Sequence, residues 1–128
     1  MSAIYHITSA PEVERAARAG EYAPAGYEAE GFVHCSYRHQ VLGVANVRYR
    51  GRPGLVLLEI DRARVPGRVV DEDLEGTGSL FPHIYGRVPM SAVLAIHDFP
   101  CDGEGGFELP PTVGAWPAGD RLTGPGIG

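Results

Sequence analysis

Leu55-Val56-Leu57-Leu58-Glu59-Ile60-Asp61 is short and nearly all apolar, and it reads as a strand over residues 55–61. Toward the N-terminus, Gly51 and Pro53 close a helix predicted over 37–49. Ser36 is its expected cap, and Val41, Val44 and Ala45 face inward. Residues 32–35 form a short strand before it. Residues 21–30, broken by Pro24 and Gly26, read as a loop. An earlier helix starts at Ser9, where Ser9-Ala10-Pro11-Glu12 fits a capping box with proline tolerated in the first turn. Val13, Ala16 and Ala17 make its apolar stripe and Gly20 its stop. Residues 3–8, β-branched and aromatic, are the first strand. Toward the C-terminus, Val69-Val70 is a strand leading into an acidic turn at 71–78, with further strands at 83–88 and 92–99. Strand, helix, strand, helix, then several strands predicts an α+β fold with two helices in the N-terminal half, and no internal repeat is present.

From Pro100 onward glycine and proline crowd the chain and few apolar residues remain to offset ordering entropy. The expectation is one globular domain over 1–100 and a mobile tail over 101–128, with Phe107, Leu109 and Trp116 docking transiently.

The 128 residues are enough to bury a core without disulfides or metal. A net charge of -5 gives no general pull toward nucleic acid or an anionic lipid surface. All 11 cations are arginine, which excludes a lysine Schiff base and a P-loop lysine. Cys35 and Cys101 are too few for a disulfide framework and lack metal-pair spacing. The N-terminal residues carry no basic region and no long apolar stretch, so a soluble, cytoplasmic protein is expected.

Three strand-like segments share one feature. In Ile4-Tyr5-His6-Ile7-Thr8, alternation puts His6 and Thr8 on one face. In Phe32-Val33-His34-Cys35-Ser36 it pairs His34 with Ser36, and in Phe81-Pro82-His83-Ile84-Tyr85-Gly86 it pairs His83 with Tyr85. Each polar face is backed by an apolar one. If the three meet, they make the polar floor of a pocket with three imidazoles, two hydroxyls and a phenol. Cys35 points away from His34 and reads as core, which argues against a Cys/His pair. His39 is expected at the surface and His97 in a structural role. Glu72, in the acidic turn, is either solvated or reaches a neighbouring cleft. Gln40 and Asn46 either support the pocket or face water. Arg48, Arg50 and Arg52 cluster at a helix end, where the macrodipole favours cations; their alternative role is a phosphate contact.

These segments resemble a bacterial family, domain of unknown function 952. The resemblance spans about residues 3–99. It rests on Ile4-Tyr5-His6-Ile7-Thr8, on the spacing of Ala16, Gly20, Tyr22 and Pro24, and on Glu30-Gly31-Phe32-Val33-His34-Cys35-Ser36 with Gln40 and Asn46. It continues through Leu57-Leu58-Glu59-Ile60-Asp61, Glu72 and Leu80-Phe81-Pro82-His83-Ile84-Tyr85-Gly86. Val13 stands where that family usually has tryptophan, a packing change. The family in turn looks similar to the ADP-ribosyltransferase fold, which implies a split, mostly antiparallel sheet gripping NAD. In that fold a first-strand polar residue holds the adenosine-side ribose, and His6 with Thr8 resembles it; His34 matches the next core position. A later glutamate usually stabilises the oxocarbenium-like ribose. Here the matching region offers His83 or Tyr85, with Glu72 nearby in sequence. RNA 2′-phosphotransferases of the same fold also dispense with that glutamate.

The resemblance implies an NAD-binding enzyme of ADP-ribosyl or phosphate-transfer type. His34, His83, Tyr85 and Glu72 would be its catalytic groups, and His6, Thr8, Ser36 and Gln40 its cofactor contacts. The alternative is a non-enzymatic domain that recognises a small nucleotide or metabolite. A zinc site made of His6, His34 and His83 lacks both His-x-x-x-His spacing and a carboxylate second shell, so no metal is expected.

Overall fold

The computed structural model describes residues 3–114. In chain order the elements are β1 (Ala3–Ser9), α1 (Ala10–Ala19), β2 (Glu21–Tyr22), α2 (Tyr27–Glu30), β3 (Val33–His34), α3 (Val41–Arg48), β4 (Leu55–Asp61), β5 (Arg68–Glu72), β6 (Phe81–Tyr85), β7 (Val88–Pro89), β8 (Val93–Asp98) and α4 (Pro111–Gly114). All strand pairs are antiparallel, in sheets ordered β1-β4-β8, β3-β6-β5 and β2-β7. The fold is therefore α+β. Among the described residues no helix is long and apolar enough to cross a membrane.

β4 lies in the middle of its sheet, and both faces of that sheet are covered, which is why its sequence is a nearly unbroken apolar run. Leu58 and Ile60 point to one side with Ile4, Val33, Ile84 and Val88. Leu55 and Leu57 point to the other with Tyr5, Ile7, Val41, Ala45 and Phe99. Fully burying each such side chain contributes about 1.5–3 kcal/mol.

The segment after α2 joins two of the sheets. Val33 and His34 pair with Ile84 and His83 of β6, and two residues later Ser36 pairs with Tyr5 of β1. The Tyr5 N–H donates to the Ser36 carbonyl and the Ser36 N–H to the Tyr5 carbonyl, both at 2.8 Å. Ser36 is thus spent on a strand bridge and is not the cap of α3. A 3₁₀ turn at Arg38–Gln40 precedes that helix, with Tyr37 before it. Ser9 does stand at the N-cap of α1, but its side chain makes no capping bond. Ala17 is exposed, so Val13 and Ala16 alone form the buried stripe. Gly20, at φ 86°, closes α1 as expected, its N–H donating to the Ala16 carbonyl.

Three further expectations are corrected. The stretch read as a loop contains the single turn α2, entered and left through Gly26 and Gly31 in left-handed conformation. β6 begins at Phe81, not His83, although Pro82 has no N–H to give. The Pro82 carbonyl accepts from Cys35 N–H, so its missing donor lies on the same side, where the β3 ladder runs out. Finally, packing does not stop at Pro100. Phe107 and Val113 are buried against Phe99 and α3, and the Phe107 N–H donates to Asn46 Oδ1 at 2.8 Å. The core thus extends well into the segment read as a tail from 101; Trp116 lies outside the described residues.

Candidate functional site

Where the two three-stranded sheets meet, the chain encloses a cleft of about 740 Å³. Its walls come from β1, α3, the residues around β3, and the β5–β6 connection. His6, Thr8, Ser36, His34, His83, Gln40 and Glu72 all line it. The three histidine segments read from alternation do converge.

His6 occupies the seam between the sheets. Its Nδ1 faces the His34 carbonyl and its Nε2 lies 2.8 Å from the Tyr22 hydroxyl, which is 2.8 Å from Thr8 Oγ1. Burial holds the imidazole pKa down at about 4, so the ring is neutral at ordinary pH. A carbonyl only accepts, so Nδ1 carries the proton and Nε2 accepts from Tyr22; the Thr8 hydroxyl then donates to Tyr22. Burial raises the Tyr22 phenol as well. His6, Tyr22 and Thr8 satisfy one another and stiffen the seam. Both ring nitrogens of His6 are engaged inside the protein.

Across the cleft the carboxylate of Glu72 accepts two hydrogen bonds on the same oxygen, Oε2: from His83 Nδ1 at 2.9 Å and from the Tyr85 hydroxyl. Tyr85 and then His83 hold the Glu72 carboxyl below its usual range, while the same contact raises the Tyr85 phenol. Glu72 is the last residue of β5, and the pairing of Val70 with His83 and of Arg68 with Tyr85 brings the three side chains together. So Glu72 is not a solvated acid of the turn. Beyond it, Asp73 accepts from the N–H groups of Thr77 and Gly78 at 2.8 Å, which closes the turn on itself. His83 is buried, and Tyr85 stands behind Glu72 rather than lining the cleft.

His34 is the more open imidazole, its side chain 43% exposed, with Nε2 3.4 Å from Glu30 Oε2. Its ring meets His83 edge-on at 4.9 Å. Phe32 organises this group, stacked on His83 at 4.6 Å and edge-on to His34 at 4.7 Å. Gln40 acts as a clamp: Oε1 accepts from the Tyr37 N–H at 2.9 Å and Nε2 donates to the Leu80 carbonyl at 2.8 Å. Cys35 is buried in the core, where burial raises its thiol pKa. His39 is exposed, and buried His97 bonds Glu59 and Thr112. Among the described residues no group of three histidine, cysteine or acidic side chains is arranged to hold a metal.

Sequence reasoning assigned no role to Tyr22, Phe32 or Glu30. Tyr22 and Phe32 look like ordinary core residues in one dimension. The four-residue spacing of Glu30 and His34 was visible, but Gly31 ends the helix between them, so a helical rule does not apply.

The family model for "Protein of unknown function (DUF952)" matches residues 7–96. Among solved structures the chain is similar to the crystal structure of protein CC0527 from Caulobacter crescentus, at 30% identity and a TM-score of 0.76, covering 95% of this chain and 99% of that one. It is also similar to the solution NMR structure of CC0527, at 32% identity and a TM-score of 0.72, covering 83% and 91%. No curated protein matches. None of these matches extends to the ADP-ribosyltransferase fold.

Proposed function

Since the chain belongs to the DUF952 family of proteins of unknown function, we propose its activity from the site: the cleft binds an NAD-like nucleotide, and Glu72 stabilises positive charge on the ribose as the nicotinamide bond breaks. The observation that carries this reading is the Glu72 carboxylate, lowered in pKa and fixed by His83 and Tyr85 at the wall of a cleft sized for a nucleotide. Glycosyl transfer from such a substrate passes through an oxocarbenium-like state, which a held carboxylate stabilises. Nicotinamide leaves as a neutral molecule, so positioning and charge suffice without an activated nucleophile. Both hydrogen bonds to Glu72 fall on Oε2, which leaves Oε1 as the oxygen with capacity to meet the ligand. His34, open to the cleft, is the proton carrier for the acceptor. His6, Thr8, Ser36 and Gln40 shape the wall.

A second reading, a domain that binds the nucleotide without turning it over, draws on the seam: His6, Thr8 and Tyr22 spend their polar atoms on each other and on the His34 carbonyl. One experiment separates the two. NAD is titrated into the wild type and Glu72→Gln while imidazole resonances and nicotinamide release are followed. Turnover predicts saturable shifts at His34 and His83 in both proteins, with release roughly a hundredfold slower in the variant. Shifts without release in the wild type favour the binding domain. The absence of shifts removes the nucleotide from both readings.

A further inference from the structure

The mouth of the cleft is crossed by an ion pair. Arg48, in the last turn of α3, bonds Glu75 from the β5–β6 connection, and both residues line the cleft. Their side chains are 50% and 45% exposed. Beside each stands an exposed apolar residue, Val47 next to Arg48 and Leu74 next to Glu75. Gly43, one helical turn before Val47 and also in the cleft lining, leaves open space where a side chain would stand. The cleft lining therefore holds the Glu72 carboxylate and the imidazoles, a helix surface left bare at Gly43, and the Arg48 guanidinium paired with Glu75.

We infer that Arg48 is the phosphate-binding residue of the cleft, and that Glu75 occupies its guanidinium until a ligand phosphate replaces it. This rests on the nucleotide reading above and adds which group of the ligand is recognised and where. Three observations carry it. An exposed ion pair holds weakly, so the exchange is easy, and a ligand phosphate offers guanidinium the same two parallel acceptors that the Glu75 carboxylate does. The pair is not needed to shape the loop, because Asp73 already closes the turn and Gln40 already ties the α3 entrance to Leu80. And a second guanidinium, Arg52, lines the same cleft with its charge over the Tyr49 ring at 5.2 Å, so a phosphate meets two cations in a lining whose other charged groups, Glu12, Glu30, Glu72, Asp73 and Glu75, are acidic.

The test compares AMP with adenosine by calorimetric titration of the full chain, in the wild type, Arg48→Gln and Glu75→Gln. The wild type is expected to bind AMP more tightly than adenosine. Arg48→Gln weakens AMP roughly tenfold, to the level of adenosine, as loss of a charge-assisted contact implies. Glu75→Gln acts in the opposite direction and tightens AMP about threefold, because a competitor for the guanidinium is gone. A structural strut gives the same sign for both substitutions, and weaker AMP binding in Glu75→Gln overturns the proposal. Equal binding of AMP and adenosine by the wild type overturns it too, while leaving the nucleotide reading in place. If neither ligand binds, both readings fall together.

Discussion

His6 shows how one side chain couples the site to stability. In the unfolded chain its imidazole titrates near 6.5, whereas in the fold it titrates at about 4. Below the first value the unfolded state takes up a proton that the folded state refuses, so stability is full above about pH 6.5 and falls as pH drops toward 4. Two and a half units correspond to about 3 kcal/mol at most. Glu72, Asp73 and Asp102 are held low in the fold, so their contribution persists to lower pH and is lost only below the ordinary carboxylate range, near 4. The two windows are therefore separate. Urea unfolding of the wild type at several pH values is expected to show a loss between about pH 6.5 and 4.5 that His6→Gln lacks. Equal slopes in the two proteins would assign that proton uptake to another group. Strand alternation made the faces of His6, His34 and His83 legible in the sequence, because side-chain direction has period two whatever the tertiary context. The seam partner Tyr22 was not legible, because its hydroxyl reaches His6 from a strand of another sheet.

At the scale of elements, short strands carry the site, and their spacing depends on one close approach. A side chain at Gly67, just before β5, would put its first carbon 2.4 Å from the Tyr85 carbonyl oxygen, which is backbone and cannot swing away. The β5–β6 register that lays Glu72 against His83 and Tyr85 thus requires glycine at this position. Gly67→Ala is expected to destabilise the fold by about 1–3 kcal/mol. It also separates the strands where Tyr85 meets Glu72, releasing the phenol toward its ordinary pKa. Spectrophotometric titration of tyrosine absorbance against the wild type reads that change. An unaltered titration together with unaltered stability would show that β5 and β6 tolerate the added carbon. The sequence located β1, β4 and β8 because each is long and apolar-rich. It also placed β3 within the short strand at 32–35, but it missed β2 and ran β7 together with β6, because two residues hold no periodicity and their pairing is set by partners far along the chain. Ser36 misled for a related reason: a hydroxyl before a helix suggests a cap, but β1 claims its backbone first.

For the whole molecule, the informative departure is the segment after Pro100. Its composition suggested that nothing there repays ordering, yet two apolar side chains are enough when the covered face is already flat and apolar. Phe107 lies 4.9 Å from the Phe99 ring and Val113 joins the same cluster, which also contains Tyr5 and Ile7 of β1 and Val41 and Ala45 of α3. His97 and Asn46 add hydrogen bonds to Thr112 and Phe107. β1 and α3 are two walls of the cleft, so this cluster backs the site from behind. A chain ending at residue 100 loses the burial of both side chains, about 3–6 kcal/mol by the usual transfer values, against a total of about 5–15 kcal/mol for a domain. The truncated chain is expected to unfold at much lower denaturant and to bind a hydrophobic dye through the uncovered face. Phe107→Ala in the full chain isolates the main part, with a loss of about 3–5 kcal/mol. Because α3 rests on this cluster, Phe107→Ala is also expected to broaden the amide signals of Gly43 and Val44, on the cleft side of that helix. If the shortened chain instead unfolds with the stability of the full one, the sheet face is covered by something else, and α3 needs no support from the C-terminal segment.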